Sequence, residues 1–359
     1  MRNNGYHRLR YAHLVGWGMD LPERILPNAA IEASLNLEEN WIFPRTGIRE
    51  RRIAAEGETA TQFAVKAAQR ALDRAGIQPE EIDLVLVATS TPEHIFPSTA
   101  CLVQNQIGAV NAGACDVAAA CSGFVYALDL ATCKVRSGSV NTALVIGAET
   151  MTRVLDWKDR KTCVLFGDGA GAVVLRGSDE PGGVMSSVLR SDGAGWEKLT
   201  LPTVGSKETY LADGVHQMHT IYMDGRAVFD FAVGALSGGL TAAVEAAGIS
   251  LDEVDVLIPH QANRRIIEEA ANAIHFPMDK IYINLDRYGN TSAASVPIAL
   301  AEAANEGRFQ PGDVVGLVGF GAGLSWGAML LEWSAPPVLK DQAAVAAGQA
   351  GSNGNGRHV

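Results

Sequence analysis

The sequence predicts an α/β protein made of two similar halves, spanning 1–185 and 186–335, with a flexible tail over 336–359. Three observations carry that expectation. Residues 69–87 align without gaps on residues 241–259, placing Gly76 on Gly248, Ile77 on Ile249, Glu81 on Glu253 and Asp83 on Asp255. Each copy reads as an amphipathic helix, a glycine stop, a short loop and a buried strand, which is the alternation of a parallel-sheet protein. A later pair matches in kind, GAVVL at 171–175 and GAMLL at 327–331. The period is far longer than that of a stacked repeat array, so it implies two halves packed as a pseudo-dimer. A ligand site then belongs at their junction.

Bulk properties narrow the classes. A chain of 359 residues is long for one simple core, and 47% hydrophobic against 19% charged residues marks a globular protein. The net charge of −11 argues against nucleic acid as a partner. The five cysteines, Cys101, Cys115, Cys121, Cys133 and Cys163, follow no metal-ligand spacing. No metal site is expected, and a reducing, cytoplasmic compartment is. Residues 314–333 carry no charge until Glu332 and approach the length of a membrane span. The glycines at 316, 319, 321, 323 and 327 favour two buried strands joined by a glycine turn, without membrane insertion.

The elements follow in order. Residues 1–10 form a loose, basic start. A strand is expected over 11–18 and a short helix over 28–37. The stretch 41–51, WIFPRTGIRER, mixes aromatic and basic residues and suits a loop that meets a ligand. Helix is expected over 59–75, with Phe63, Ala67, Ala71 and Leu72 on one face and Gly76 as the stop. Then come a strand over 82–89, a helix over 98–108, and strands over 142–149, 171–175 and 254–258. An apolar helix covers 296–304, and the Ala, Gly and Pro content after Trp333 predicts the flexible tail.

Chemistry gathers at three turns. In DVAAACSGF (116–124) a cysteine sits just before a helical pattern that includes Phe124, Tyr126, Ala127, Leu130 and Ala131. A helix N-terminus favours thiolate over thiol, so Cys121 reads either as a nucleophile or as a small buried residue. His260 follows the strand over 254–258, where sheet ligands collect. The other seven histidines, His7, His13, His94, His216, His219, His275 and His358, read as core or surface groups. Asn290 stands in a turn feeding the helix over 296–304 and reads either as a helix cap or as a functional amide. The glycine turns at 167–171 and 319–327 lack the acidic residue of a dinucleotide site and suit backbone N–H groups approaching a substrate oxygen. Cysteine, histidine and asparagine also occur in papain-like hydrolases, but here the asparagine heads an apolar helix in a repeated chain. Two neutral N–H donors suit an enolate better than an attacking water.

Six motifs together resemble the β-ketoacyl-[acyl-carrier-protein] synthase III family of condensing enzymes over about residues 10–334: WIFPRTGIRER (41–51), DVAAACSGF (116–124), FGDGAGA (166–172), PHQANR (259–264), YGNTSA (288–293) and GFGAGLSW (319–326). The resemblance implies a thiolase-like fold, two α/β halves in a layered αβαβα core. It implies decarboxylative condensation of an acyl-CoA, with acetyl-CoA the expected starter, with malonyl-acyl carrier protein to begin fatty-acid synthesis. Cys121 would carry the acyl group, His260 and Asn290 would hold the enolate, and the backbone N–H groups of Cys121 and Ala322 would hold the oxyanion. Trp41, Arg45, Arg160 and Asn263 would contact CoA, Phe96 and Phe229 would bound the acyl pocket, and Arg264 and Arg265 would dock the carrier protein. A homodimer with no cofactor is implied, Phe96 crossing to the partner subunit. Asp230, Asn272 and Ala273 stand where relatives commonly have lysines, which leaves room for an acyltransferase of polyketide or secondary metabolism.

Overall fold

The computed structural model describes residues 10–202 and 220–334. The expected loose start through residue 9, His7, His216, His219, His358 and the expected tail over 336–359 lie outside the described residues. The first half runs β1 (Tyr11–Asp20), β2 (Ile25–Pro27), α1 (Asn28–Ser34), α2 (Phe43–Thr46), β3 (Glu50–Arg52), α3 (Ala60–Ala75), β4 (Leu84–Ala88), α4 (Thr99–Ile107), β5 (Gly113–Val117), α5 (Gly123–Arg136), β6 (Thr142–Thr150) and β7 (Asp168–Ser178). The second runs β8 (Val184–Ser191), β9 (Leu199–Thr200), β10 (Tyr222–Met223), α6 (Gly225–Ala247), β11 (Val256–Pro259), α7 (Arg264–Ala273), α8 (Leu285–Tyr288), α9 (Ser295–Asn305), β12 (Val314–Gly321) and β13 (Ser325–Glu332).

Two sheets form in the same strand sequence. The first is ordered β1-β7-β6-β4-β5, and the second, read the same way, is β8-β13-β12-β11. In both, the first three strands pair antiparallel and the fourth joins parallel, β4 beside β6 and β11 beside β12; β5 adds a further parallel strand beside β4 in the first sheet. A parallel bridge from Leu257 to Ile281 stands where the second sheet's fifth strand would be. Helices α3 and α4 cover one outer face, α6 and α7 cover the other, and α5 and α9 lie between the sheets. The result is five layers, αβαβα. In the central layer, Phe124, Leu128, Val296 and Leu300 from α5 and α9 join one core cluster.

Local chemistry explains the matching halves. Thr59 and Gln62 form a reciprocal capping box at the start of α3. Gly76 and Gly248 end α3 and α6 with φ of +65° and +71°, the left-handed closure that glycine reaches without strain. Asp83 accepts from the Thr142 N–H at 3.0 Å, starting β6 beside β4. Its repeat mate Asp255 accepts from the Val314 N–H at 2.9 Å, starting β12 beside β11.

Some expectations change. The stretch 41–51 is not a continuous loop: Pro44 opens α2, Gly47 closes it at φ +77°, and β3 follows. The helix expected over 28–37 ends at Ser34, and Asn36 takes a left-handed φ of +52° just beyond it. The span-like stretch forms β12 and β13. Among the described residues, the helix long and apolar enough to cross a membrane is α6. Its Ala232, Leu236, Leu240 and Ala243 are buried, and the helix packs on β8, β12 and β13.

Candidate active site

The strand β5 delivers the chain to a single turn, Ala120–Ser122, and α5 begins at Gly123. Ala120 adopts φ +46°, a conformation that side chains take reluctantly and that functional turns retain. Cys121 is 8% exposed. The turn is held from the second half. A Cβ on Gly321 would lie 2.8 Å from the Cys121 nitrogen and 2.9 Å from its Cβ, so only glycine lets β12 come this close. The Ser122 and Ser325 hydroxyls hydrogen-bond each other at 2.8 Å, tying this turn to the one at 322–324. Ala322 is not among the residues with positive φ, so alanine is accommodated there without backbone strain.

Burial pushes the Cys121 thiol up to about 12; the hydrogen bond to Ser292 opposes this, while the charge of Glu149 adds to it. Desolvation thus outweighs the thiolate expected at a helix N-terminus, and the resting group is a thiol. That thiol donates to the Ser292 Oγ at 3.3 Å. Glu149, wholly buried at the end of β6, accepts from the Ser90 N–H at 3.0 Å and the Thr91 hydroxyl at 2.6 Å. Burial is the main influence on its carboxyl and raises it.

The same shift that carries Gly76 onto Gly248 carries Ala120 onto Ser292. Ser292 has φ +49°, opens a matching turn (Ser292–Ala294), and leads into α9 as Ala120 leads into α5. The two turns therefore face each other from the central layer. Asn290 precedes this one. Its backbone N–H donates to the Leu165 carbonyl at 2.8 Å, and its Oδ1 accepts from the Ser292 N–H at 2.8 Å. The amide oxygen is thereby held by its own turn, and Nδ2 donates no hydrogen bond among the described residues. His260 follows β11, its N–H donating to the Val318 carbonyl at 2.7 Å. Its ring is 2.9 Å from the Ser295 Oγ through Nδ1 and lies edge-on to Phe320, centroids 5.0 Å apart. Burial lowers His260 to about 3, so the ring is neutral at physiological pH.

Cys121, His260 and Asn290 line one cavity of about 100 Å³, with Phe229, Asn263 and Phe320 among its walls. A smaller, almost wholly apolar cavity of about 50 Å³ lies against Cys121, Ala322 and Ser292 and is walled by Met151, Leu201 and Ile221. Outside lies a cleft of about 830 Å³ lined by Trp41, Arg45, Arg160, Arg226 and Asn263. Arg45 lies over the Trp41 ring at 4.4 Å and Arg160 lies 5.7 Å from it. Asn263 caps α7 by accepting from the Arg265 N–H at 2.8 Å and donates to the Arg45 carbonyl at 3.1 Å. Phe229, expected in the acyl pocket, lines the larger of the two cavities at Cys121, with the Arg265 guanidinium 5.8 Å from its ring. Phe96 is 85% exposed and lines neither cavity at Cys121. Arg264 lies on the exposed start of α7, paired with Glu268 at 2.7 Å.

Several groups had no distinct sequence signal. Ser292 and Ser295 matter because folding sets them against Cys121 and His260, 171 and 35 residues away. Gln261 spends its whole amide on structure, donating to the Pro259 and Tyr282 carbonyls and accepting from the Asn284 and Leu285 N–H groups. Arg51, read with the ligand loop, is wholly buried and donates to Asn28 at 2.8 Å and the Val164 carbonyl at 2.7 Å. The glycines of the two rich turns chiefly admit neighbouring chain: Gly321 meets Cys121, and Gly171 meets Pro297 and Ile298. His13, His94 and His275 lie outside the cavities at Cys121.

Family models described as 3-oxoacyl-[acyl-carrier-protein] synthase III and its C-terminal part match residues 115–193 and 244–333. The chain is 46% identical over 326 residues to the β-ketoacyl-[acyl-carrier-protein] synthase III of Roseiflexus sp. strain RS-1, covering 90% of this chain and 99% of that one. Its structure matches that of the 3-oxoacyl-[acyl-carrier-protein] synthase III of Aquifex aeolicus with a TM-score of 0.83 and 44% identity, over 89% of this chain and 99% of that one. It also matches the priming β-ketosynthase of the R1128 polyketide biosynthetic pathway, with a TM-score of 0.86 and 38% identity over 92% and 98% of the two chains.

Proposed function

The chain belongs to the 3-oxoacyl-[acyl-carrier-protein] synthase III family, a thiolase-like condensing family, and from that premise we propose how its site performs the reaction. The enzyme condenses an acyl-CoA with malonyl-acyl carrier protein in fatty-acid synthesis. The observation that carries our reading is that Cys121, His260 and Asn290 line one cavity while the second-half turn faces both polar donors into it.

In this reading the Cys121 sulfur attacks the thioester carbonyl of the acyl-CoA. The carbon–sulfur bond to CoA breaks, and the proton lost by Cys121 ends on the departing CoA thiol. The N–H groups of Cys121 and Ala322 hold the tetrahedral oxyanion, and losing one such donor costs about two to three orders of magnitude in rate. The apolar cavity beside Cys121 receives the acyl chain, acetyl in the first instance. Malonyl-carrier protein then enters. Its carboxylate leaves as carbon dioxide, and the electrons pass to the thioester oxygen, held by His260 and Asn290. The enolate carbon attacks the acyl carbonyl, the bond to Cys121 breaks, and the sulfur is reprotonated. One proton is taken up overall, and no electron is transferred, so the reading assigns no cofactor.

The outer cleft takes CoA. Trp41 and Arg160 take the adenine, Arg45 takes the phosphates once it leaves the Trp41 face, and Asn263 stands at the passage inward. Arg264 and Arg265 receive the acidic carrier protein. A cytoplasmic homodimer is proposed, because Ile95 and Phe96 are 78% and 85% exposed and β5 is an edge strand. Purified protein given acetyl-CoA and malonyl-carrier protein yields acetoacetyl-carrier protein; acyl-Cys121 that forms but never condenses contradicts the reading. Likeness to the polyketide priming ketosynthase supports a second reading, a starter enzyme of secondary metabolism. A panel of acyl-CoA starters and carrier proteins separates the two by relative kcat/KM.

A further inference from the structure

We propose that Ser295 fixes His260 as the tautomer protonated on Nε2, making the ring a hydrogen-bond donor in the cavity beside Cys121. The inference rests on the function proposed above, and it concerns a positioning residue. A neutral imidazole donates through one nitrogen and accepts through the other, so its usefulness to an enolate depends on which nitrogen holds the proton. Here the partner of Nδ1 decides.

Ser295 Oγ accepts from the Gln261 N–H at 2.7 Å and lies 2.9 Å from the His260 Nδ1. Among the described residues its hydroxyl has no other hydrogen-bond partner. If Nδ1 carried the proton, Oγ would accept twice, and its own hydrogen would be buried with nothing to receive it. Ser295 and His260 are each 1% exposed, so solvent does not relieve that deficit. With the proton on Nε2, both groups on the Nδ1 side are satisfied, because Gln261 donates to Oγ and Oγ donates to Nδ1, and the Nε2–H is left for a ligand oxygen in the cavity that His260 lines. Gln261 is itself immobilised by its four side-chain hydrogen bonds, which fixes the N–H that orients Ser295. The edge-on Phe320 ring restricts rotation of the imidazole.

The same segment orients the other donor. Ser292 N–H takes the Asn290 Oδ1, which leaves Nδ2 to donate. Residues 290–295 thus set both polar groups as donors with no charge in the cavity. An imidazole protonated on Nδ1 would present a lone pair to the enolate oxygen and repel it.

The test combines a spectroscopic readout with separated half-reactions. In protein labelled with nitrogen-15 in histidine, the His260 signals, assigned by their loss in His260→Gln, should show a protonated Nε2 and an unprotonated Nδ1. Ser295→Ala should mix the two tautomers and lower kcat for malonyl-carrier decarboxylation by about ten- to a hundredfold. KM for malonyl-carrier protein should change little, and acylation of Cys121 should fall far less. Ser295→Thr keeps the hydroxyl and should keep the tautomer. A wild-type His260 protonated on Nδ1 overturns the proposal, as does a folded Ser295→Ala protein with an unchanged tautomer and unchanged kcat. Should Ser295→Ala fail to fold, the wild-type spectrum still decides. Failure of the proposed function would show separately, as wild-type protein that acylates without condensing.

Discussion

At the scale of single residues, the site pairs a buried thiol with two neutral donors. His260 is lowered from 6.5 to about 3 by burial. A base whose folded pKa lies below its unfolded value contributes stability that is fully present above pH 6.5 and is lost as pH falls toward 3. The melting temperature should therefore drop more steeply between pH 7 and pH 5 in wild type than in His260→Gln, measured by calorimetry. Decarboxylation, for its part, should show no inflection near pH 6.5, because the ring stays neutral there. Cys121, His260 and Asn290 were readable from motifs because each stands at a strand end or a helix start. Ser292, Ser295 and Glu149 were not, because a serine in YGNTSA or a glutamate ending an apolar strand gives no local sign of what it will face. Their roles come from contacts between distant segments: Cys121 meets Ser292 across the two halves, and Glu149 accepts from Ser90 and Thr91.

At the scale of elements, each half presses a glycine of its inner strand against the other half's functional turn. Gly321 on β12 backs the Cys121 turn, and Gly147 on β6 backs the Ala293 carbonyl of the Asn290 turn. Added methyl groups at such contacts cost about 1–3 kcal/mol. Gly321→Ala should act first on acylation, by displacing Cys121, and Gly147→Ala first on decarboxylation, by displacing Ser292 and Asn290. Stopped-flow acylation and a carbon dioxide release assay separate the two effects; equal loss in both half-reactions for both variants would contradict the assignment. The repeat itself was legible, since Gly76 and Gly248 close their helices alike and Asp83 and Asp255 clamp equivalent strands. The break in the stretch 41–51 was less legible. A proline in the first turn and a glycine directly after a four-residue helix resemble a loop, and burial of Arg51 depends on the Asn28 side chain and the Val164 carbonyl.

At the scale of the whole molecule, the problem is attraction. The chain carries a net charge of −11 and yet must receive an acidic carrier protein. In the docking proposed above, local basic charge at the start of α7 overcomes the overall field. Arg264 shares its charge with Glu268, while the Arg265 guanidinium lies beside Phe229 at the cavity wall. Arg265→Glu should therefore raise KM for malonyl-carrier protein by about fivefold or more and leave acylation from acyl-CoA unchanged. Added salt should weaken wild-type carrier binding more than that of the variant. The five-layer architecture explains why one site serves two substrates: α5 and α9 start in the central layer and bring one functional turn from each half to the same cavity.

The central claim is that one sulfur carries the acyl group between the two half-reactions. The direct measurement is a single turnover with enzyme acylated by labelled acetyl-CoA, freed of CoA, and then mixed with malonyl-carrier protein. Peptide mass analysis should place the label on Cys121 before mixing and in 3-oxoacyl-carrier protein afterwards, with Cys121→Ala taking up none. Label on another residue, or product formed by Cys121→Ala at the wild-type rate, would contradict the account.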